Sequence, residues 1–369
     1  MQKVSSSERF VKVELSHKSY RPLTVLTFRL NYLLHGLNPI GFHIVNIALH
    51  AFSSILVHKL CLRFESNAKI AFTSAMVFAM HPIHTDAVAS VVGRAELLSA
   101  IFYELCLLTY LNKQNGGHCS TCSSSSNLLK PLFTVSLACI GLLCKEQCLT
   151  VLIVCAAFDA ITAYGKTCHT ERRHRTKNIT ILFCGFIFAL LLRVKLNGKQ
   201  VTPSFNKYDN PAAVANSDTK LFTYSYLCAF NFWLLTFPFQ LCCDWTHESI
   251  KLLTSTLDAR NVITVAFFST LIYVFGMPFL RKKVPEEFNK TLMFVMMTVI
   301  PFVPASNLFF TTGFVVAERV LYLPSVGFAL LIAFGVKRLH SMCPNATVAA
   351  VFVLLLTFGV KTYSRCKDW

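Results

Sequence analysis

Charge is scarce in this 369-residue chain. Asp, Glu, Lys and Arg fill only 14% of positions, too few to coat a soluble protein of this size. Acid is scarcer than base. Eighteen Asp and Glu stand against 35 Lys and Arg, a formal net charge of +17. No G-x-G-x-x-G, no P-loop and no G-x-S-x-G occurs, so the sequence offers neither a nucleotide-phosphate loop nor a serine-hydrolase elbow. No tetratricopeptide period or other internal repeat is present. No leader with a basic start and an apolar heart opens the chain. Residues 1–18 are polar, and the first apolar span is expected to insert by itself.

What the chain has instead is apolar sequence in long blocks. Hydrophobic residues make up 54%, Phe alone occurs 33 times, and the mean hydropathy is +0.53. Residues 42–62, 261–280 and 346–360 read as membrane spans, because about 20 apolar residues in a helix cross the ~30 Å hydrocarbon core. Backbone polar groups in lipid pair internally, which forces helices. Further segments fall near 69–91, 95–112, 131–143, 148–165, 178–194, 222–242, 291–309 and 318–336, with the last span at 346–361. The expected fold is an all-α polytopic transmembrane bundle of about 10–11 hydrophobic segments, crossing the bilayer about ten times. Residues 1–41 are expected to form a polar, basic tail and residues 42–369 the multi-pass domain.

The positive charge gathers in short loops between apolar blocks, the pattern of cytosolic loops rather than of nucleic-acid binding. The basic stretches 166–177 and 281–290 and the pair Lys337–Arg338 are expected on the cytosolic side together. That arrangement puts 195–221 and 243–260 both on the far side. Segment 222–242 is then re-entrant or lies in the membrane interface. Asn178, Asn289 and Asn345 each begin N-x-S/T and fall on the cytosolic side, where no glycan is expected. Most of the 15 cysteines sit inside apolar blocks as small hydrophobes, and the odd count leaves at least one thiol unpaired within the chain. Cys119 and Cys122 beside His118 form a lone CxxC in a Ser-rich loop, which reads as a linker; no metal is expected.

Ionisable residues among apolar spans mark function by default, because lipid penalises them. Five groups qualify. The first is His81, His84 and Asp86, followed by Arg94 and Glu96. The two histidines share a face if a helix continues past Pro82, and the alternative is a helix end capped by its own polar residues. The second is Lys145–Glu146, either functional or a self-neutralising pair at a turn. The third, Asp209–Asn210 before Pro211, reads equally as turn chemistry. The fourth is Asp244–Trp245, with Trp common at the membrane interface. The fifth is Glu318, Arg319 and Tyr322, where a guanidinium fork suits a phosphate and an internal Glu–Arg pair is the alternative. His43, His50 and His58 read as packing and hydrogen-bonding residues.

These stretches resemble the membrane portion of the transmembrane and tetratricopeptide-repeat (TMTC) family. The resemblance is carried by SYRPLTVLTFRLNYLLHGLNPIGFHIVN (19–46), HPIHTDAVASVVGRAELLSA (81–100), CKEQCLTVL (144–152), DNPA (209–212) and FVPASNLFFTTGFVVAERVLYLPSVGFALL (302–331). It implies a GT-C glycosyltransferase fold in the endoplasmic reticulum membrane. It also implies transfer of mannose from dolichyl-phosphate mannose to Ser or Thr of luminal proteins, cadherin-type domains among them. The family's domain of unknown function is expected around 240–310. Read this way, Asp86, Glu96 and Glu318 are candidate catalytic carboxylates. Arg94, Arg319, His84 and Tyr322 are candidates for the donor phosphate. His81, Lys145, Glu146, Asp209, Asn210, Asp244 and Trp245 are expected to line the site. Expected partners are membrane lipid, the dolichol-linked sugar and luminal acceptor proteins. Two departures stand out. The family's paired acidic motif in the first luminal loop has no counterpart in residues 1–18, and no tetratricopeptide repeats follow. These favour a second reading, a non-catalytic membrane scaffold. A transporter ranks below both, because the charged groups do not trace a path across the bilayer.

Overall fold

Asparagine and proline set where the first long helices begin. Asn38 accepts the Ile40 N–H at 3.1 Å ahead of Pro39, and Asn67 accepts the Lys69 N–H at 2.9 Å. The computed structural model describes residues 20–111, 126–164, 169–197, 208–243, 245–246, 249–280 and 285–369. Among these residues there is no strand, and the chain forms thirteen α-helices joined by turns of 3₁₀-helix. In chain order they are α1 (Pro22–His35), α2 (Pro39–Phe64), α3 (Ala68–Met80), α4 (Thr85–Ala89) and α5 (Arg94–Tyr110). Then come α6 (Ser126–Leu142), α7 (Thr150–Tyr164), α8 (His169–Asn197), α9 (Ser217–Thr236) and α10 (Arg260–Leu280). The chain ends with α11 (Glu286–Phe302), α12 (Pro324–Met342) and α13 (Pro344–Cys366).

Six stretches are helical, long and apolar enough to span a bilayer, centred on α2, α7, α8, α10, α11 and α13. Helices α3, α5, α6 and α12 pack between them, and the protein is an all-α, multi-pass membrane bundle. Hydrogen bonds between helices fix which ends meet. Asn46 and Ser53 of α2 reach Arg94 and Glu104 of α5, so these two helices run the same way. At one end Lys337 of α12 meets Glu65, just past α2, and Glu287 of α11. Asp159 of α7 meets Tyr110 of α5 and Arg175 of α8 at that same end. At the opposite end Arg193 of α8 meets Glu146, and Arg365 of α13 meets Glu318. The described parts of all three basic stretches therefore share one end. Asn178 is buried there, donating to Asp159 at 3.1 Å. The polar groups singled out in the sequence gather at the other, called here the site end.

Three expectations change. The span expected over 69–91 stops at Met80, because His81 is extended and Pro82 starts a 3₁₀ turn. At 13 residues α3 is about 20 Å long, short for a full crossing. The turns that follow His81 continue the pass and stay buried through Ala87, as irregular backbone does inside protein. The segment expected over 222–242 begins and ends earlier, as α9 at Ser217–Thr236. Helix α9 runs unbroken to Thr236, and the chain then turns extended at Phe237–Pro238. Chain entry from α8 and exit into α10 both lie at the site end, so α9 does not join the two ends. The tail expected over 1–41 contains a helix, α1. Pro22 in its first turn and Gly36 at its end, φ +61°, mark its limits, since only glycine takes that conformation without cost. The CxxC at Cys119–Cys122 lies outside the described residues.

Candidate active site

Two 3₁₀ turns form the floor of the site. Glu146–Leu149 follows α6, and Glu318–Leu321 precedes α12. Gln147 staples them together: its side-chain amide donates to Val320 O at 3.0 Å and to Pro301 O at 2.7 Å. The chain from His81 to Gly93 folds against the second turn. Gly93 is needed there, since a Cβ would sit 2.1 Å from Ala87 O.

Within this frame Asp86 and Arg319 meet. The Arg319 N–H donates to Asp86 Oδ2 at 3.1 Å, and the guanidinium stands 3.9 Å from Asp86 Oδ1. That oxygen is buried and accepts no hydrogen bond. The Arg319 side chain is 40% exposed. The pair therefore presents a cation with a free face beside a carboxylate with a free lone pair.

The other two carboxylates are already engaged. Glu96 is buried in an ion pair with Lys145. Glu318 is caged: one oxygen accepts the Cys242 N–H at 2.6 Å and the Trp245 indole N–H at 3.0 Å, and the other faces Arg365 at 3.5 Å. Burial pushes the Glu318 carboxyl up to about 7, against the pull of those donors and Arg365. Glu318 ties Cys242 and Trp245 to α13, whereas Glu96 uses only Oε1 on Lys145 and Asp86 keeps a buried oxygen without a hydrogen bond.

The candidates for a phosphate sort the same way. Arg94 is fully buried and spent on the fold. Its guanidinium donates to Asn46 Oδ1 (2.9 Å), Asn31 Oδ1 (2.9 Å), Phe42 O (3.0 Å) and Thr27 O (3.3 Å), with Phe28 and Phe42 across its faces. Four of its five N–H groups are engaged within the fold and the side chain is fully buried, so Arg94 presents no open face to a phosphate. His84 and Tyr322 are engaged within the fold likewise. The His84 Nε2 lies 2.7 Å from Ser325 Oγ, the Tyr322 hydroxyl lies 2.7 Å from His50 Nδ1, and both rings are buried under the site. Since Ser325 Oγ donates its own hydrogen to Tyr322 O, His84 Nε2 carries the proton of that pair.

Of the lining residues, His81 accepts the Ile83 N–H and bonds Leu235 O at 2.9 Å, pinning α9 to the end of α3. His81 and His84 share no helix, yet their ring centroids lie 5.7 Å apart. Lys145 and Glu146 do not pair with each other. Lys145 turns to Glu96, while Glu146 takes Arg193 and Arg21. Glu318 and Arg319 likewise choose separate partners. Asn210 is buried and holds Thr312 O at 2.9 Å, whereas Asp209 is exposed. Asp244 lies outside the described residues. Sequence reading missed Arg21, Arg193 and Arg365. Their partners are 125, 47 and 47 residues away, beyond any local pattern. A groove of about 540 Å³ between α5 and α6, lined by Thr109, Lys130 and Phe133 among others, sits at the opposite end from these carboxylates.

Fold and site together define a multi-pass membrane protein with a paired-charge cluster at one end. The family profile described as "Protein O-mannosyl-transferase TMTC, DUF1736" matches residues 199–272, starting earlier than the 240–310 window and overlapping it. Human protein O-mannosyl-transferase TMTC3 is 40% identical over 96% of this chain and 40% of its own length. Drosophila melanogaster Tmtc3 is 36% identical over 97% of the chain and 44% of its length. Mouse TMTC4 is 37% identical over 96% and 52%. The chain belongs to the TMTC family and spans about half the length, or less, of these curated relatives. No solved structure matches.

Proposed function

We propose that the chain is the membrane portion of an endoplasmic reticulum protein O-mannosyltransferase with a GT-C organisation, taking mannose from dolichyl-phosphate mannose. In this reading a Ser or Thr hydroxyl oxygen attacks the anomeric carbon, and the bond from that carbon to the phosphate oxygen breaks. Dolichyl phosphate leaves, and the hydroxyl proton passes to Asp86. Arg319 balances the charge gathering on the departing phosphate, where a fixed cation in a site of low dielectric acts most strongly. The observation carrying the proposal is the half-exposed Arg319 guanidinium 3.9 Å from a buried carboxylate oxygen with no hydrogen bond. The relatives' shared name, protein O-mannosyl-transferase, supports the reaction class. The site end faces the lumen in this reading, since the basic stretches gather at the other.

The test is transfer of radiolabelled mannose from dolichyl-phosphate mannose to a cadherin-type acceptor domain, with the protein purified and reconstituted. Transfer by the wild type that is lost in Arg319→Ala supports the reading. Equal transfer by both removes Arg319 from the reaction. Glycan on Asn289 would reverse the orientation.

A further inference from the structure

Five cations face five carboxylates at the site end, and they are shared unevenly. Arg319 pairs with Asp86, Lys145 with Glu96, and Arg365 with Glu318, while Arg21 and Arg193 both pair with Glu146. Asp368 adds only a half-exposed carboxylate to Arg365, on the outer side at the end of α13. Two guanidinium groups on one carboxylate leave a positive charge to be balanced. The cations also differ in access. Lys145, Arg193 and Arg365 have side chains 10% exposed or less, whereas Arg319 is 40% and Arg21 28% exposed. The two accessible guanidinium groups both act electrostatically on the buried Lys145. They stand on elements tied together: Arg21 holds Glu146 in the first turn at 3.4 Å, and Gln147 of that turn holds the Arg319 turn.

Arg21 is the residue just before α1, and α1 is unusual. Its buried residues are the polar Thr24 and Asn31, held by Cys144 O and by Arg94. Val25, Leu26, Leu30, Leu33 and Leu34 face outward. A helix with its polar residues inside and its leucines outside is built for hydrocarbon. An apolar bed thus begins directly beside an exposed guanidinium.

We propose that Arg21 is the second cation that, with Arg319, takes the phosphate of a lipid-borne ligand whose hydrocarbon chain lies along α1. The phosphodiester of a lipid-linked sugar carries one negative charge, which suits the second guanidinium on Glu146. Two guanidinium groups grip its non-bridging oxygens in planar forks, which an ammonium does not reproduce. Glu146 is a positioning residue that holds the Arg21 fork. This proposal rests on the donor-phosphate reading of Arg319 given above, and adds the residue and the lipid bed.

The experiment uses the full chain in phosphatidylcholine nanodiscs, titrated with fluorescent dolichyl phosphate over a range of salt, with inorganic phosphate as competitor. Arg21→Gln and Arg319→Ala are each expected to weaken binding about tenfold and to flatten its salt dependence, since each removes one screened charge contact. Arg21→Lys, which keeps the charge, is expected to lose about threefold and covers the case in which Arg21→Gln does not fold. Inorganic phosphate at millimolar concentration is expected to compete poorly. The Arg21 proposal is overturned if Arg21→Gln binds within twofold of wild type while Arg319→Ala is impaired. It is equally overturned if Arg21→Gln weakens binding with wild-type salt dependence, the mark of a strut. Full competition by inorganic phosphate overturns the lipid bed. Equal binding by wild type and Arg319→Ala overturns the donor-phosphate reading itself.

Discussion

Arg94 and Arg319 stand at the same end of one membrane bundle and show two uses of a guanidinium. Arg94 is buried under α1, with four oxygens on its donors and two aromatic rings on its faces. Arg319 keeps 40% of its side chain in the open and touches its carboxylate partner loosely, at 3.9 Å. The first is enclosed and structural. The second has an open face beside a carboxylate oxygen that bonds to nothing. Neighbouring sequence did not separate them, since each sits near a Glu in a stretch of apolar residues. What separates them is how far the fold itself has already enclosed and engaged the guanidinium.

The contrast can be broken by mutation. The largest effect is expected from Arg94→Ala, which strands two buried asparagine oxygens and two carbonyls. At ~1–3 kcal/mol for each buried group left unpaired, the loss is roughly 3 kcal/mol or more. It is read as a fall in the thermal midpoint and in monodisperse yield, and Arg94→Lys is not expected to rescue it. Arg319→Ala is expected to leave the midpoint nearly unchanged, because a half-exposed ion pair contributes ~0–1 kcal/mol. Its cost should appear instead as a drop of about a hundredfold in mannose transfer. Asp86→Asn is expected to lower transfer by about a hundredfold or more while donor affinity is kept, the signature of a lost proton acceptor.

Glu318 sharpens the comparison through pH. Its carboxyl is raised from 4.5 to about 7 by burial. The folded state holds that proton more tightly than the unfolded chain does. The group's contribution therefore favours folding most below about 4.5, declines as pH rises to about 7, and is flat above. Thermal midpoints measured from pH 4.5 to 7.5 should show this decline in wild type and a shallower one in Glu318→Gln. A wild-type curve no steeper than that of the variant would mean that Glu318 is not held near-neutral. The smallest effect is expected from Asp209→Ala, an exposed residue, whose stability should stay within ~0.5 kcal/mol of wild type.

Much of the fold was legible because hydrocarbon is an uncompromising solvent. Long apolar blocks became helices within a few residues of their expected limits, as at 261–280 and Arg260–Leu280. Exceptions have local causes. The 69–91 block broke at His81–Pro82, and α1 was hidden because its leucines alternate with polar residues that the bundle buries. Asp86, Glu96, Lys145, Glu146, Glu318 and Arg319, singled out in the sequence, all converge on one end. The sequence did not show who pairs with whom. Two adjacent opposite charges suggest a local pair, yet Lys145–Glu146 and Glu318–Arg319 each split toward remote partners. Adjacent side chains in a tight turn point apart, and packing of other helices decides what they meet. Arg21 was unreadable for the same reason, since nothing near it in sequence marks Glu146 as its neighbour.

The most direct measurement is the binding of dolichyl phosphate to the reconstituted chain, compared between wild type and Arg319→Ala at matched folded fraction. Binding at the site end should be saturable in wild type and weakened about tenfold or more in the variant. Saturable binding of equal strength in both proteins would contradict the placement of a lipid phosphate at Arg319.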